Sequence, residues 1–179
     1  MAAVAAGSTT IPDQQPTGPA FPAPFVSTPG PVRPEWIDNN GHLNLAYYIV
    51  LFDEATDALW AAIGLGDCYR AATNCGTFAV ETHTLYKSEL LEGDTTTARS
   101  LVLGADTKRL HIAHELVRER DRAIAARQEL LYLTVDLTLR RSVPWPQPTL
   151  ATLQAAAAAH ATLPRPDWIG RSIALPTSR

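Results

Sequence analysis

Residues 44–64 decide the fold of this chain, and they read NLAYYIVLFDEATDALWAAIG. Mostly apolar side chains recur there at the spacing of one helix face: Leu45, Tyr48, Ile49, Phe52, Ala55, Thr56, Leu59 and Ile63. Asn44 can cap the start of such a helix, and Gly64 can end it. A helix of about 20 residues is about 30 Å long. The pattern therefore predicts a mostly buried central helix, long enough to be wrapped by a sheet.

Strand-like segments lie on both sides of this helix in the sequence. One short segment, residues 25–32, precedes the helix, and four follow it, at residues 77–87, 95–103, 109–120 and 124–139. Turn-forming residues separate the four later segments, around Gly93, Gly104 and Asp121. Because the links are short, we expect consecutive segments to pair antiparallel. This order predicts an α+β fold.

The two ends of the chain differ from this central part in composition. Residues 1–24 are rich in Pro, Ala, Gly and Thr, so we expect a flexible leader. Residues 25–145 contain the predicted helix and strands and form the predicted domain. The alanine-rich segment 149–162 favours a helix. Residues 146–179 are therefore predicted to form an appended surface helix and a tail that could reach a neighbouring subunit.

Composition and charge exclude several classes of protein. The net charge of -3 gives no basic surface for nucleic acid. No segment approaches the roughly 20 apolar residues of a membrane span. The cysteines are Cys68 and Cys75 alone, so a disulfide scaffold is not needed and a cytoplasmic location is expected. His111 and His114 would point to opposite faces of a strand, so we predict no metal site.

A polar motif lies directly before the central helix. Asp38, Gly41, His42, Asn44 and Tyr47 follow the pattern Asp-x-x-Gly-His-x-Asn-x-x-Tyr. A helix start carries unpaired backbone N–H groups and a positive dipole end, so a carbonyl docked there is polarised beside the Asp38 carboxylate. The sequence has no Gly-rich phosphate loop and no Gly-x-Ser-x-Gly motif. The aspartate is therefore the one hydrolytic group that the sequence offers.

This motif, with strand and helix segments over about residues 30–145, resembles the hot-dog-fold acyl-CoA thioesterases related to 4-hydroxybenzoyl-CoA thioesterase. Within that family the chain is most similar to the betainyl-CoA thioesterases of carnitine breakdown. The resemblance implies a hot-dog fold, in which a curled antiparallel sheet wraps around the long central helix. It also implies hydrolysis of a CoA thioester to a free acid and CoA, without a cofactor. It also implies a homodimer or homotetramer, and it suggests betainyl-CoA as the substrate.

The resemblance assigns catalytic roles to three residues of the motif. The family's matching aspartate, here Asp38, attacks the thioester carbon or activates a water molecule, and the sequence does not choose between these routes. His42 either orients the substrate or the attacking water, or it shapes the loop by hydrogen bonding. Asn44 is placed with the catalytic residues, although its position equally suits a helix cap.

Four neighbouring residues are predicted to bind the substrate. The backbone N–H groups of Leu45 and Ala46, with that of Asn44, are candidate donors to the oxyanion. Gly41 shapes the loop around the substrate. Tyr47 could contact the acyl group, although an aromatic on the first helical turn also suits packing.

Two further sets of residues are predicted to contact the substrate. Glu81 and His83 face the same way on one strand and match a Glu-Thr-His triplet of the betainyl-CoA sub-group. Glu81 could face a trimethylammonium group, although a cross-strand partner or solvent exposure would explain both residues. Lys87, Lys108 and Arg109 lie near predicted strand ends, where they suit either the phosphates of CoA or a solvated rim.

Two other functions fit the same fold and are kept as alternatives. An enoyl-CoA hydratase on this fold also uses a carboxylate and a histidine, so fold alone does not decide the reaction. A non-catalytic module that binds acyl-CoA would have no turnover to lose when Asp38 is replaced.

Overall fold

The computed structural model of the protein describes residues 21–175. Its elements, in chain order, are β1 (Phe25–Ser27), a 3₁₀ turn (Pro34–Trp36), α1 (Leu45–Ile63), α2 (Asp67–Thr73), β2 (Cys75–Tyr86), β3 (Thr96–Ala105), β4 (Arg109–Arg118), β5 (Ile124–Asp136), β6 (Arg141–Ser142) and α3 (Gln147–His160). The predicted leader, residues 1–24, lies outside the described residues except for its last four positions, as do residues 176–179 of the predicted tail.

The predicted central helix is confirmed, together with both of its caps. The Asn44 side-chain oxygen accepts a hydrogen bond from the Ala46 N–H at 3.0 Å. Gly64 ends the helix with a φ of 76°, a left-handed conformation that glycine adopts without strain. Leu51 and Leu59 on the inner face are completely buried. The helix is held by this apolar face and by local capping at each end.

All strand pairs in the sheet are antiparallel, and the strand order is β1-β3-β4-β5-β2, with β6 added to β5. Consecutive pairing is confirmed for β3, β4 and β5, but it is wrong for β2, which pairs with β5. The link after β2 does not form a tight turn, because Leu90 is completely buried and its carbonyl accepts from Leu43 N–H at 2.7 Å. The link therefore crosses the start of α1, and β2 is left as an edge strand.

Two local predictions also need correction. The first strand is shorter than residues 25–32, since Pro29 and Pro31 have no N–H with which to extend the ladder. The strand predicted at residues 77–87 begins two residues earlier, at Cys75, shortly after the short helix α2. Neither change moves the central helix or the motif before it.

The core lies between α1 and the concave face of the sheet, so the predicted α+β architecture is confirmed. Helix α3 contributes Leu153 and Ala156 to the same apolar cluster as Leu59 and Ile63 of α1. The segment after residue 145 is thus packed against the core, while the predicted domain boundaries themselves stay predictions. Across residues 21–175, helices long and apolar enough to cross a membrane are absent.

Candidate active site

The motif before α1 folds into a tight turn that presents the Asp38 carboxylate. The Asp38 N–H donates to the His42 carbonyl at 3.0 Å, and the Gly41 N–H donates to the Asp38 carbonyl at 3.0 Å. Gly41 has a φ of 81°, which a residue with a side chain rarely adopts. The Asp38 carboxylate accepts from Asn40 N–H at 2.7 Å and keeps 22% of its side chain exposed. The carboxylate is therefore held by its own loop while one side stays open.

The backbone N–H of Leu45 is a free donor at the start of α1, next to this turn. The Ala46 N–H is taken by the Asn44 side chain, and the Tyr47 N–H is bonded to the Asn44 carbonyl at 3.0 Å. Within residues 21–175, the Leu45 N–H has no acceptor. Of the predicted oxyanion donors at the helix start, Leu45 is thus the one available to a ligand, whereas Ala46 is occupied by the cap.

Asp38 and Leu45 open into one cavity of about 440 Å³. The cavity is lined by Asp38, Asn40, His42, Leu43, Leu45, Tyr48, Tyr86, Lys87, Ser88 and Glu89. The motif supplies one wall, and the end of β2 with the following link supplies the other. Ser88 and Glu89 were not singled out from the sequence. The sequence indicates them only weakly, since their one distinguishing feature is that they follow the end of a predicted strand.

Two tyrosines shape the wall opposite the motif. Tyr48 donates to the Ser88 carbonyl at 3.2 Å and accepts from the Leu90 N–H at 3.1 Å, so its hydroxyl fixes the link that forms the wall. Tyr86 packs edge-on against Tyr48, with ring centroids 5.2 Å apart. Burial raises the pKa of both phenols, so both are neutral near pH 7. The cavity therefore combines neutral aromatic surface with the Asp38 carboxylate.

The remaining motif residues support this cavity in different ways. The Nδ1 atom of His42 is 4.0 Å from a carboxylate oxygen of Asp38 and 3.3 Å from the Leu43 carbonyl. Tyr47 points away from the cavity and stacks on Trp36, with ring centroids 5.3 Å apart. His42 is therefore placed at the cavity, and Tyr47 packs behind it.

Glu81 and His83 line a different groove in the same chain. That groove lies on the outer face of the sheet, where a carboxylate oxygen of Glu129 is 2.7 Å from His111 Nε2. Asp38 does not line it. Within one chain the two predicted parts of the site are therefore separate, and a role for both in one site stays a prediction that needs a second subunit.

The three predicted phosphate contacts are also divided by the fold. Lys87 lines the cavity of Asp38. Lys108 lies in the turn between β3 and β4, and Arg109 begins β4, both at the opposite end of the sheet. The Arg109 guanidinium is 2.6 Å from the Asp106 carboxylate. Only Lys87 is therefore near the candidate site of its own chain.

The two histidines of β4 face opposite sides of the sheet, as expected. His111 is on the outer face with Glu129, whereas His114 is completely buried beneath α1, where it contacts Thr56. In the part of the chain that the structure describes, clusters of three His, Cys, Asp or Glu side chains that could hold a metal ion are absent.

Comparison with known proteins places this geometry in a family. The thioesterase-like superfamily is matched over residues 32–153. A betainyl-CoA thioesterase of Pseudomonas aeruginosa is 43% identical over 83% of this chain and 94% of that protein. An L-carnitine dehydrogenase/betainyl-CoA thioesterase of Rhizobium meliloti is 31% identical, and the match covers 85% of this chain but only 32% of that longer protein.

A solved structure shows the same similarity in three dimensions. It is a Staphylococcus aureus protein in complex with CoA, which is 29% identical and superposes with a TM-score of 0.75 over 89% of this chain and 100% of that one. The resemblance inferred from the Asp38 motif is thus confirmed. With its sheet, its central helix and the match over residues 32–153, this chain belongs to the thioesterase-like superfamily, whose members share the hot-dog fold.

Proposed function

We propose that the protein hydrolyses the thioester of betainyl-CoA to glycine betaine and CoA. The observation that carries this proposal is the Asp38 carboxylate in one cavity with the free N–H of Leu45 at the start of α1. The similarity to the Pseudomonas aeruginosa betainyl-CoA thioesterase, which extends over 94% of that protein, supports the acyl group.

The two groups suit the two ends of the scissile carbonyl. The carbonyl oxygen would accept from Leu45 N–H, where the helix dipole stabilises the negative charge that develops on it. Asp38 would either attack the carbonyl carbon or take a proton from the attacking water. Attack by Asp38 gives an acyl-aspartyl anhydride and the CoA thiolate, and water then hydrolyses the anhydride. In the other route, Asp38 activates water as a general base and His42 helps to orient that water.

The cavity also suits a cationic acyl group and an anionic carrier. A trimethylammonium group is favoured by aromatic faces and nearby carboxylates, and the cavity offers Tyr48 and Tyr86 with Asp38 and Glu89. At the same cavity, the Lys87 ammonium has no carboxylate partner within residues 21–175, so it is available to a phosphate of CoA.

The exposed edge of the sheet supports a homodimer as the working unit. β2 is an edge strand of 12 residues, and its exposed apolar side chains include Val80, which is 52% exposed. Helix α1 runs beside β2 in the opposite direction, since the Tyr86 hydroxyl meets the Leu45 carbonyl and Trp60 Nε1 donates to Thr77. Long apolar edges of this kind pair with another chain. Pairing two β2 strands would cover this edge.

A cytoplasmic location is part of the proposal. Both cysteines, exposed Cys68 and buried Cys75, are free thiols. Free thiols are stable in a reducing compartment, so the cysteine chemistry supports the cytoplasm.

Thiol release from acyl-CoA substrates tests the reaction. Wild-type protein is mixed with betainyl-CoA, acetyl-CoA, benzoyl-CoA or a long-chain acyl-CoA, and free CoA is followed with a thiol-reactive dye. We expect fastest release from betainyl-CoA and a fall of about 10² to 10⁴ in rate for Asp38→Asn. Asp67→Asn is the matched control, because Asp67 is an exposed carboxylate that pairs only with Arg70 on α2.

Each other outcome changes a defined part of the proposal. Full thiol release by Asp38→Asn would refute the catalytic role of Asp38. Faster release from another substrate would keep the reaction and replace the acyl group. If no substrate releases thiol, the protein is also mixed with an enoyl-CoA, and loss of the enoyl absorbance would favour a hydratase. Tight binding of acyl-CoA without any turnover would favour a non-catalytic module.

A further inference from the structure

The chain after α3 crosses the outer face of the sheet towards the unpaired edge. Trp168 is only 7% exposed and lies under the Arg127 guanidinium of β5, which is 5.6 Å from the ring centroid. Two residues later, Gly170 N–H donates to the Glu129 carboxylate at 2.7 Å. Arg171 then lines the outer groove. The segment is thus fixed to β5 and points at β2.

After these contacts the segment carries two apolar side chains that do not pack on the part of the protein that the structure describes. Ile173 and Leu175 are 91% and 92% exposed, so neither side chain packs against residues 21–175. Isolated exposed apolar residues are ordinary on protein surfaces. Ile173 and Leu175, however, follow directly after a stretch that is fixed to β5. They also lie near the edge strand β2, which has no second neighbouring strand among residues 21–175. Their position indicates a contact with another molecule beyond that edge.

A two-fold pairing of β2 places that contact on a second copy. If β2 pairs with its copy along its whole length, the two-fold axis passes the strand's midpoint, between Val80 and Glu81. Glu81 lines the groove that Arg171 also lines. In such a dimer the segment would reach the axis, and its next residues would lie over the outer face of the partner.

The outer face next to the axis offers a matching apolar strip. Phe78 and Leu133 are paired across β2 and β5, and Leu131 lies two residues before Leu133. The alternate residues Leu130 and Tyr132 belong to the core, so Leu131 and Leu133 point outward. Both are partly exposed, and Phe78 is 38% exposed. The Arg140 guanidinium of the same chain lies 5.6 Å from the Phe78 ring centroid. All three apolar side chains of the strip still keep part of their surface exposed.

We propose that residues 171–175 form an arm that packs on the outer face of a second copy of this chain. Ile173 and Leu175 cover the partner's strip of Phe78, Leu131 and Leu133. The carboxylate of Glu81 at the axis complements the positive charge of Arg171 at the base of the arm. The arm rests on the β2 dimer of the proposed function, but it is independent of the reaction.

Photo-cross-linking tests the arm directly in the full-length protein. Ile173 is replaced by the photo-reactive amino acid p-benzoylphenylalanine, and irradiated protein is run on a denaturing gel. The arm predicts a covalent dimer whose cross-linked peptide contains residue 78, 131 or 133. Cross-links within single chains, or no cross-link while sedimentation shows a dimer, would overturn it. A wild-type protein that sediments as a monomer would instead refute the underlying dimer.

A pair of serine variants measures how much the arm contributes. Ile173→Ser with Leu175→Ser should weaken self-association about tenfold or more, because two aliphatic side chains lose their buried contact. Leu139→Ser is the matched control, since Leu139 is an exposed apolar residue in the turn between β5 and β6. Equal dimer dissociation constants for the double variant and this control would refute the arm. Thiol release is assayed in parallel, so that loss of the arm and failure of the proposed reaction are told apart.

Discussion

His114 connects α1 to the sheet through a buried chain of hydrogen bonds. Its Nε2 atom is 3.0 Å from the Thr56 hydroxyl, and its Nδ1 atom is 2.8 Å from the Ser100 hydroxyl. Thr56 donates its single hydroxyl proton to the Phe52 carbonyl, so it accepts from the imidazole. Burial lowers the pKa of His114 from 6.5 to about 3, so the ring is neutral near pH 7. Its one proton is then on Nε2, and Nδ1 accepts from the Ser100 hydroxyl.

This lowered pKa makes the stability of the fold depend on pH. Between pH 6.5 and pH 3 the unfolded chain binds a proton at His114 that the folded chain does not bind, so the free energy of unfolding falls as the pH is lowered through that window. Above pH 6.5 both states are neutral at His114 and the contribution is constant. From pH 7.0 to pH 4.5 this difference in pKa corresponds to a loss of about 2–3 kcal/mol.

His114→Gln isolates this contribution, because glutamine does not titrate. Its amide group can donate to Thr56, and its oxygen can accept from Ser100, so the hydrogen-bond chain is kept. We expect the loss between pH 7.0 and pH 4.5 to be about 2–3 kcal/mol smaller in His114→Gln than in wild type. The measurement is urea unfolding at several pH values in that range, at one fixed protein concentration.

Ser100→Ala separates burial from hydrogen bonding as the cause. It leaves the imidazole buried but removes the donor to Nδ1, so we expect lower stability by about 1–3 kcal/mol at every pH, with the wild-type dependence on pH retained. Parallel stability curves for wild type and His114→Gln would refute the reasoning. They would mean that His114 takes up a proton equally well in the folded and unfolded protein.

Three further changes test the packing and the cavity wall. Leu59→Ala removes a completely buried side chain of α1 and should lower the free energy of unfolding by about 2–5 kcal/mol in urea titrations. Gly64→Ala forces a side chain into the left-handed conformation; since nothing lies within 4 Å of an added Cβ, the loss should be only about 1–2 kcal/mol, and a larger one would mean a hidden clash. Tyr48→Phe leaves the buried Leu90 N–H without its acceptor, so we expect a loss of about 1–3 kcal/mol and a higher KM for thiol release. An unchanged KM would show that the link does not shape the substrate site.

The parts of the fold that depend on local chemistry could be predicted from the sequence. The spacing of apolar residues and the caps Asn44 and Gly64 are local signals, and α1 begins and ends where they indicate. The pairing of β2 with β5 is not local, since it depends on where the link after β2 lies. That link is directed by the burial of Leu90, one of two adjacent leucines in an otherwise polar link.

The same distinction applies to the candidate site. The motif from Asp38 to Asn44 is contiguous, so its residues could be named from the sequence. Ser88 and Glu89 reach the cavity only because the Tyr48 hydroxyl and Leu43 hold the following residue, Leu90, across the start of α1. Such contacts join residues about 40 positions apart, and no pattern in either segment indicates them.

The spacing within the motif has a structural reason that connects the cap to the chemistry. The chain must reverse between Asp38 and the helix, and it does so through hydrogen bonds from Asp38 N–H to the His42 carbonyl and from Asn44 N–H to the Trp36 carbonyl at 2.9 Å. This reversal returns Asp38 to the helix start. Asn44 then occupies the Ala46 N–H and leaves the Leu45 N–H free beside the carboxylate. The cap therefore stabilises the helix, and under the proposed function the Leu45 N–H that it leaves unoccupied would be the donor to the thioester carbonyl.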